Sequence, residues 1–240
     1  MYQKRTYRKS VTATDLVKFV VREFETDLLV LANRNLETET IASVHNVRQA
    51  LTDYLTRHKA FAESFEPVMA LSNAPPVATA MARAGYAAGV GPMAAVAGAI
   101  AETVARDLAD YSTEIVVENG GDIFIISHKP RTVAIQAGKS PLSDKIGLRL
   151  PAVPNGLAVC TSSGTVGHST SFGRADAAVV LAHDGALADA AATATGNRVK
   201  NAADIESAMQ FAMSVPRVSG VVVVIGDKMG ALGDIELTGL

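Results

Sequence analysis

Short strand segments and longer helical segments come in blocks along this chain, and that order most constrains the fold. Apolar runs at Phe19–Val21 and Leu28–Leu31 open the chain, and a helical block follows before the strands resume at Ile115. Doubly wound folds alternate strand and helix regularly, whereas separate blocks favour an α+β fold. The short links between strands favour antiparallel pairing. We therefore expect one α+β domain over residues 1–240, built mainly from antiparallel sheet with packed helices.

Apolar spacing and Gly/Pro breaks predict where the elements begin and end. A helical stripe runs from Thr40 to Ala62, and Asn73 is the expected cap of a helix that ends near Gly85. The dipeptide Asn119-Gly120 predicts a type I′ hairpin. The other predicted elements are helices over 93–110, 186–195 and 204–213, and strands over 115–117, 123–126, 133–136, 146–150, 157–161, 177–181, 218–225 and 231–237.

Charge and cysteine content narrow the function classes. The formal net charge is -2 and the basic cluster between positions 4 and 9 is short, whereas nucleic-acid-binding proteins carry a strong basic face. The longest uncharged stretch, 85–101, is too short and too glycine-rich for a membrane span. The single cysteine, Cys160, excludes an internal disulfide and suits a reducing compartment. We expect a cytoplasmic protein that binds neither nucleic acid nor a membrane.

The segment Gly89-Val90-Gly91-Pro92 leads into a predicted helix. Its letters fit G-x-G-x-x-A, but that fingerprint must follow a strand, and the preceding residues here predict a helix. This excludes a Rossmann site. The N–H groups at a helix start still attract phosphate. The alternative is that these glycines serve close packing only.

The segment Glu118-Asn119-Gly120-Gly121-Asp122 places polar side chains around two glycines. Paired glycines allow another group to approach the backbone closely. The alternative is an ordinary hairpin turn.

A hydroxyl-rich segment runs from Thr161 to Ser171 and contains His168. Such a segment offers many hydrogen bonds to phosphate or to a ring edge. It lacks the G-x-S-x-G pattern of serine hydrolases. The alternative is a polar loop without a ligand. Cys160, just before it, is expected to be a buried, unreactive thiol.

Asp189 and Thr193 stand four residues apart on a predicted helix and therefore share a face. Carboxylate and hydroxyl oxygens are hard ligands that suit Mg²⁺ or Ca²⁺. The alternative is that Asp189 favours the helix dipole and Thr193 bonds to a backbone carbonyl. The histidines show no zinc-ligand spacing.

In order, these segments resemble the motifs of the ApbE-like superfamily, the FAD:protein FMN transferases. Residues 116–122 resemble its V-x-N-x-G-G-D signature with one spacer fewer, 161–164 resemble S-x-S-G, and 188–193 resemble A-D-A-x-A-T. The helix led by Gly91 takes the place of G-G-I-x-K-G. Longer phrases between about residues 70 and 240 resemble an uncharacterised bacterial and archaeal family within that superfamily.

The resemblance implies a T-fold-like architecture with a duplicated core, and a site that handles a nucleotide with Mg²⁺. The implied metal ligands are Asp189, Thr193 and the carbonyl of Ala94, and the implied catalytic residues are His168 and Asp189. The implied cofactor is FAD or FMN, bound by Gly91, Glu118, Asn119, Gly120, Gly121, Asp122, Ser162, Ser163, Gly164 and Thr165.

Two departures from the transferases leave the function open. Ala95 or a neighbour stands where they have a lysine, and residues 167–176 replace their H-I-I-D-P stretch. The first hypothesis is FAD cleavage, with FMN transferred to a protein acceptor or released. The second is a non-catalytic binder, and the third is an enzyme with another small-molecule substrate. A homo-oligomer also stays open.

Overall fold

The computed structural model describes residues 13–164 and 172–240, which fold into two antiparallel sheets with helices. The strands are β1 (Val17–Glu23), β2 (Thr26–Ala32), β3 (Ile115–Asn119), β4 (Asp122–Ser127), β5 (Arg131–Ala134), β6 (Ile146–Leu150), β7 (Val153–Ser162), β8 (Ala177–Ala182), β9 (Val218–Ile225), β10 (Lys228–Gly233) and β11 (Leu237–Gly239). The large sheet has the order β1-β2-β3-β4-β7-β8-β9-β10, and the small sheet has the order β11-β6-β5.

Six α-helices lie in the described part of the chain. They are α1 (Glu37–Arg57), α2 (Lys59–Glu63), α3 (Pro76–Ala88), α4 (Val96–Leu108), α5 (Gly185–Arg198) and α6 (Ile205–Ser214). A short 3₁₀ turn, Pro92–Ala95, precedes α4, and another, Ala202–Asp204, precedes α6. The prediction of an α+β fold with antiparallel sheet is confirmed, since the paired strands described all run antiparallel.

The large sheet is buried on both faces, and successive residues of a strand enter two different cores. Leu28 and Val30 of β2 pack on the helix side, whereas Leu29 and Leu31 pack on the side of the small sheet. This follows from the two-residue period of a strand. β2 is therefore apolar at nearly every position rather than alternating.

The order strand–strand–helices–strand–strand occurs twice along the chain. β1 and β2 are followed by helices and then by β3 and β4, while β7 and β8 are followed by α5, α6 and then β9 and β10. Each run forms four neighbouring strands, and β4 and β7 join the two runs into one sheet.

Several predicted boundaries were wrong. The helix over 40–62 is broken at His58, whose non-helical backbone (φ -132°, ψ 66°) separates α1 from α2, and Phe61 of α2 is buried in the core. Asn73 does not cap α3; Pro75 holds that position, and the helix continues to Ala88 because Gly89 ends it in the left-handed region. The strand predicted over 231–237 is two strands, β10 and β11, which belong to different sheets.

Within residues 13–164 and 172–240, no single helix is long and apolar enough to cross a membrane. Pro76–Ala88 and Pro92–Leu108 pass that test of length and composition only as a pair, and this pair is bent by 105°.

Candidate metal and nucleotide site

The carboxylate of Asp189 binds the start of helix α4. Its Oδ2 accepts a hydrogen bond from the Gly98 N–H at 2.9 Å, and the Ala97 N–H also donates to this carboxylate. These N–H groups lie in the first turn of α4, where helical N–H groups lack partners within the helix. Asp189 therefore caps a neighbouring helix, while its own helix is capped by Asp184, which accepts from the Leu187 N–H.

Helix α4 likewise supplies a carboxylate that caps the start of α5. The Glu102 Oε2 accepts a hydrogen bond from the Gly185 N–H at 2.6 Å. Each helix thus supplies a carboxylate, four residues after a glycine, to the N-terminus of the other. This reciprocal pair ties the two helix starts together and sets the position of Asp189.

Glycines make this helix crossing sterically possible. A Cβ on Gly98 would overlap the Gly185 carbonyl oxygen, and a Cβ on Gly185 would overlap the Gly98 carbonyl oxygen. Residues with side chains would separate the helices and pull each carboxylate away from its N–H partner. Gly98 and Gly185 therefore determine the site geometry through packing.

The Glu118–Asp122 turn of the large sheet contacts the start of α4 and strand β7. The Asn119 side chain donates to the Ala97 carbonyl at 3.1 Å, and Asp122 Oδ1 accepts from the Thr161 N–H at 3.1 Å. Glu118 Oε1 accepts from the Gly121 N–H at 2.8 Å. The turn therefore contacts both the start of α4 and the strand that leads to the hydroxyl-rich segment.

The turn itself differs from the prediction in one position. Asn119 pairs across the hairpin with Asp122, so the central residues are Gly120 and Gly121 rather than Asn119 and Gly120. Both glycines have positive φ, 71° and 111°, as a type I′ turn requires. A Cβ on either would meet nothing within 4 Å. The glycines here satisfy backbone conformation and border open space.

Two buried carboxylates face each other in this site. Burial raises the pKa of Asp189 to about 7, while hydrogen bonds from the Gly98 and Ala97 N–H groups oppose that rise. Burial, followed by the negative charge of Asp189, raises the pKa of Asp122 well above its ordinary value. Burial also raises the pKa of the Cys160 thiol, which is in contact with Asp122, and the prediction that this cysteine is buried is confirmed.

The other implied metal ligands are on α5 itself and on the 3₁₀ turn that α5 contacts. Helix α5 packs against the 3₁₀ turn that contains Ala94. Gly98, whose N–H in a longer helix would donate to the Ala94 carbonyl, donates to Asp189 instead. Thr193 follows Asp189 by one turn and is half-buried on a helix whose other residues are mostly buried. The three residues therefore come from two elements in contact.

The remaining predicted residues divide into three groups. Ser162 ends β7, and Ser163 and Gly164 follow it, with the Gly164 N–H donating to the Ala175 carbonyl. The Gly91 N–H donates to the Phe65 carbonyl at 2.7 Å, and that amide is thus already used by the protein. Thr165 and His168 lie outside the described residues.

Glu102 is the site residue that the motif analysis missed. The sequence does carry a signal for it, because Gly98-Ala-Ile-Ala-Glu102 and Gly185-Ala-Leu-Ala-Asp189 share the spacing Gly-x-x-x-acid. Within the described ranges, no group of three His, Cys, Asp or Glu side chains could hold a metal ion. A surface cleft of about 540 Å³ lies against α6 and β10, and another of about 550 Å³ lies between α3 and the start of α5, where Asp184 and Leu187 line it.

Comparison with known proteins identifies the family. A family model described as "AbpE bacteria" matches residues 8–224. A UPF0280 protein of Methanocella arvoryzae is 41% identical over 228 residues, covering 93% of this chain and 91% of that one. A UPF0280 protein of Methanocaldococcus jannaschii is 42% identical over 193 residues, covering 78% of each chain. The chain belongs to the UPF0280 family.

Solved structures show that this UPF0280 chain has an ApbE-like fold. The flavin transferase ApbE from Vibrio cholerae superposes with a TM-score of 0.62 at 12% identity, covering 91% of this chain and 96% of that one. The apo flavinyl transferase ApbE from Pseudomonas stutzeri gives a TM-score of 0.62 at 14% identity, covering 91% and 94%. At such low identity the likeness establishes the fold, and it confirms the family resemblance drawn from the motifs.

Proposed function

We propose that this protein binds a flavin nucleotide, FAD or FMN, together with Mg²⁺, and that it cleaves FAD to transfer or release FMN. One observation carries the proposal: segments far apart in sequence, at 94–98, 118–122, 160–161 and 189–193, meet at the crossing of α4 and α5. The ApbE-like fold supports this assignment, because solved proteins with that fold are named flavin transferases.

The donor set fits a hard divalent cation. Asp189 offers a carboxylate, Thr193 a hydroxyl and Ala94 a main-chain carbonyl, and oxygen donors of these types suit Mg²⁺. Burial raises the pKa of both Asp122 and Asp189, and a bound cation would favour the ionised form of each carboxyl. A bound Mg²⁺ would supply positive charge to a pyrophosphate group.

In the cleavage hypothesis, an acceptor hydroxyl or water oxygen forms a bond to the FMN phosphorus while the phosphoanhydride bond to AMP breaks. AMP leaves with the bond electron pair, and the attacking oxygen loses its proton to a base. The protein holds the diphosphate near the start of α4 and keeps Asp189 oriented through the Gly98 and Ala97 N–H groups. His168 and Asp189 are the catalytic residues that the family resemblance implies, and His168 lies outside the described residues.

A second function is favoured by one observation at the start of α4. Ala95 or a neighbour stands where the transferases have a lysine, and Ala95 is fully buried between the uncharged residues Ala94 and Val96. That position therefore presents no charged group to the nucleotide, which favours a binder that holds a flavin nucleotide without transferring FMN. We further propose that the two four-strand runs of the large sheet are the halves of a duplicated T-fold-like core.

The test is titration calorimetry of the purified protein with FAD, with and without Mg²⁺, and chromatography for AMP and FMN. We expect Mg²⁺-dependent binding, and a loss of roughly 10- to 100-fold in Asp189→Asn, as for other metal-site changes. Asp227→Asn, on an exposed turn, is the matched control and should bind like the wild type.

Release of AMP would establish cleavage, whereas binding without AMP would establish the binder. Wild-type protein that gives no Mg²⁺-dependent binding would overturn the proposal. If Asp189→Asn bound FAD and Mg²⁺ like the wild type, Asp189 would not be a ligand of the metal.

A further inference from the structure

Two phenylalanines from distant parts of the chain form an exposed pair. The rings of Phe65 and Phe172 lie 5.4 Å apart between centroids, at an interplanar angle of 75°. Phe65 is 61% exposed and Phe172 is 55% exposed. Large aromatic side chains gain free energy from burial, so such a pair on the surface is a ready contact for another flat apolar group.

The backbone beneath each ring is fixed to an element of the candidate site. The Gly91 N–H donates to the Phe65 carbonyl at 2.7 Å, and a Cβ on Gly91 would overlap the Ser64 carbonyl oxygen. The Phe172 N–H donates to Asn197 Oδ1 at 2.8 Å, and the Lys200 Nζ contacts the Phe172 carbonyl. Phe65 is thus tied to the approach to Ala94, and Phe172 is tied to α5.

Asn197, which accepts the hydrogen bond from the Phe172 N–H, lies on the same helix as Asp189. Asp189, Thr193 and Asn197 succeed one another at intervals of four residues on α5, so they share one face of that helix. At a rise of 1.5 Å per residue, Asn197 lies about 12 Å beyond Asp189 along the helix axis. A ligand with phosphates at one end and a flat ring at the other has a length of this order.

We propose that Phe65 and Phe172 form a stacking platform for the flat heteroaromatic ring of the nucleotide whose phosphates lie at Asp189 and Thr193. This inference rests on the proposed function and extends it to a ring-binding subsite. The shared chemistry is a planar heterocycle, which an isoalloxazine or an adenine ring supplies. Stacking of a ring on an aromatic side chain is tolerant of ring identity, and removal of the side chain weakens binding by about tenfold or more.

The experiment separates the ring from the phosphates by titrating ligands that share only one of them. The wild type, Phe65→Ala and Phe172→Ala are titrated by calorimetry with FMN, ADP and inorganic pyrophosphate, each with Mg²⁺. We expect each alanine variant to bind a ring-bearing ligand about tenfold more weakly and to bind pyrophosphate like the wild type. Phe65→Tyr and Phe172→Tyr should keep wild-type affinity because they keep a ring.

Two controls guard this reading. Tyr86→Ala removes an aromatic side chain that is 70% exposed on α3 and should change no affinity. Thermal unfolding of each variant establishes that it is folded. A loss confined to FMN identifies a flavin ring, whereas a loss confined to ADP identifies adenine, and either result supports the platform.

Failure of the platform is distinguishable from failure of the proposed function. Equal affinity of the alanine variants and the wild type for FMN and ADP overturns the platform and leaves the metal site standing. An equal loss of pyrophosphate and nucleotide binding in the alanine variants also overturns it, because the rings would then only support the fold. Ring-dependent binding that needs neither Mg²⁺ nor Asp189 supports the platform and overturns the metal proposal. Wild-type protein that binds pyrophosphate, but binds FMN and ADP no more tightly, overturns the platform alone, and wild-type protein that binds none of the three overturns both.

Discussion

At the scale of single residues, Gly98 and Gly185 have the most direct physical role in the site. Each occupies a place where a methyl group would overlap a carbonyl oxygen of the opposite helix. A backbone carbonyl moves only with its helix, so a larger residue forces the helices apart. The chemistry assigned to Asp189 therefore depends on two residues without side chains.

We expect Gly98→Ala to lower the free energy of unfolding by about 2 kcal/mol or more, because overpacking outweighs the helical preference of alanine. Gly196→Ala, also in α5, is the matched control, since a Cβ there makes ordinary contacts of 3.5 Å or more with Ser162 and Ala178. That control should be neutral or stabilising by up to about 1 kcal/mol. Urea unfolding of both variants checks this, and equal stabilities would refute the close crossing.

A second residue-scale prediction concerns Asp122, which is buried close to Asp189. Asp122→Asn keeps an oxygen for the Thr161 N–H and removes a buried carboxyl whose ionisation burial and Asp189 both disfavour. We expect the variant without metal to be more stable than the wild type at pH 8, by about 1 kcal/mol. We also expect it to gain less stability from added Mg²⁺. Thermal unfolding with and without Mg²⁺ measures both, and a destabilised variant without metal would contradict the prediction.

At the scale of elements, α4 and α5 each complete the N-terminus of the other. A helix start has four N–H groups without helical acceptors, and a carboxylate there is favoured by hydrogen bonds and by the helix dipole. The Gly-x-x-x-acid spacing places one carboxylate on each helix at the height of the other helix's start. Neither helix has this geometry alone, so the pair behaves as one unit.

We expect Glu102→Ala to cost about 1–2 kcal/mol of stability, because the Gly185 N–H loses a charged acceptor. The same variant should weaken Mg²⁺-dependent FAD binding, since α5 carries Asp189. Glu102→Gln keeps an acceptor oxygen and should retain most of both properties. Unfolding and calorimetry on the same samples check the prediction, and it would be refuted if Gln and Ala variants lost stability and binding equally.

At the scale of the whole molecule, the large sheet separates two apolar cores. A cluster of charged side chains around Arg131 links β5 of the small sheet to Glu114 and Asp15. Arg131, which is buried, pairs with Glu114 at 2.6 Å and with Asp15 at 2.6 Å. Burial alone would raise the pKa of Glu114, but hydrogen bonds from Ser127, Arg131 and the His128 N–H hold it below its ordinary value. A hydrogen bond from Arg131 likewise lowers the pKa of Asp15.

These pKa directions predict loss of stability in acid. A carboxylate whose pKa is lower in the folded than in the unfolded protein stabilises the fold above its unfolded pKa, near 4. That contribution is lost as pH falls through the folded value. We expect the free energy of unfolding to fall below about pH 4, and to fall less steeply in Glu114→Gln, by on the order of 1 kcal/mol. Urea unfolding at pH 6, 4 and 3 tests this, and parallel pH profiles would contradict it.

Local patterns predicted the elements well wherever the physics is local. The apolar strands around residues 28–31 and 218–225 were predicted because strand period depends on neighbours in sequence. A hairpin turn was also predicted from Asn119-Gly120, and its central residues are Gly120 and Gly121, one position later. The errors lie where tertiary contacts decide. His58 breaks a helix so that Phe61 can be buried, and residues 231–237 divide between two sheets.

The sequence by itself determined an α+β protein with antiparallel strands, the turn at the paired glycines, and the family to which the chain belongs. Only the tertiary structure decided that Asp189 caps α4, that Glu102 caps α5, and that Phe65 meets Phe172. These contacts join residues separated by tens of positions, from 83 to 107. They form because burial of two apolar cores orients the helix starts, and no local pattern carries that information.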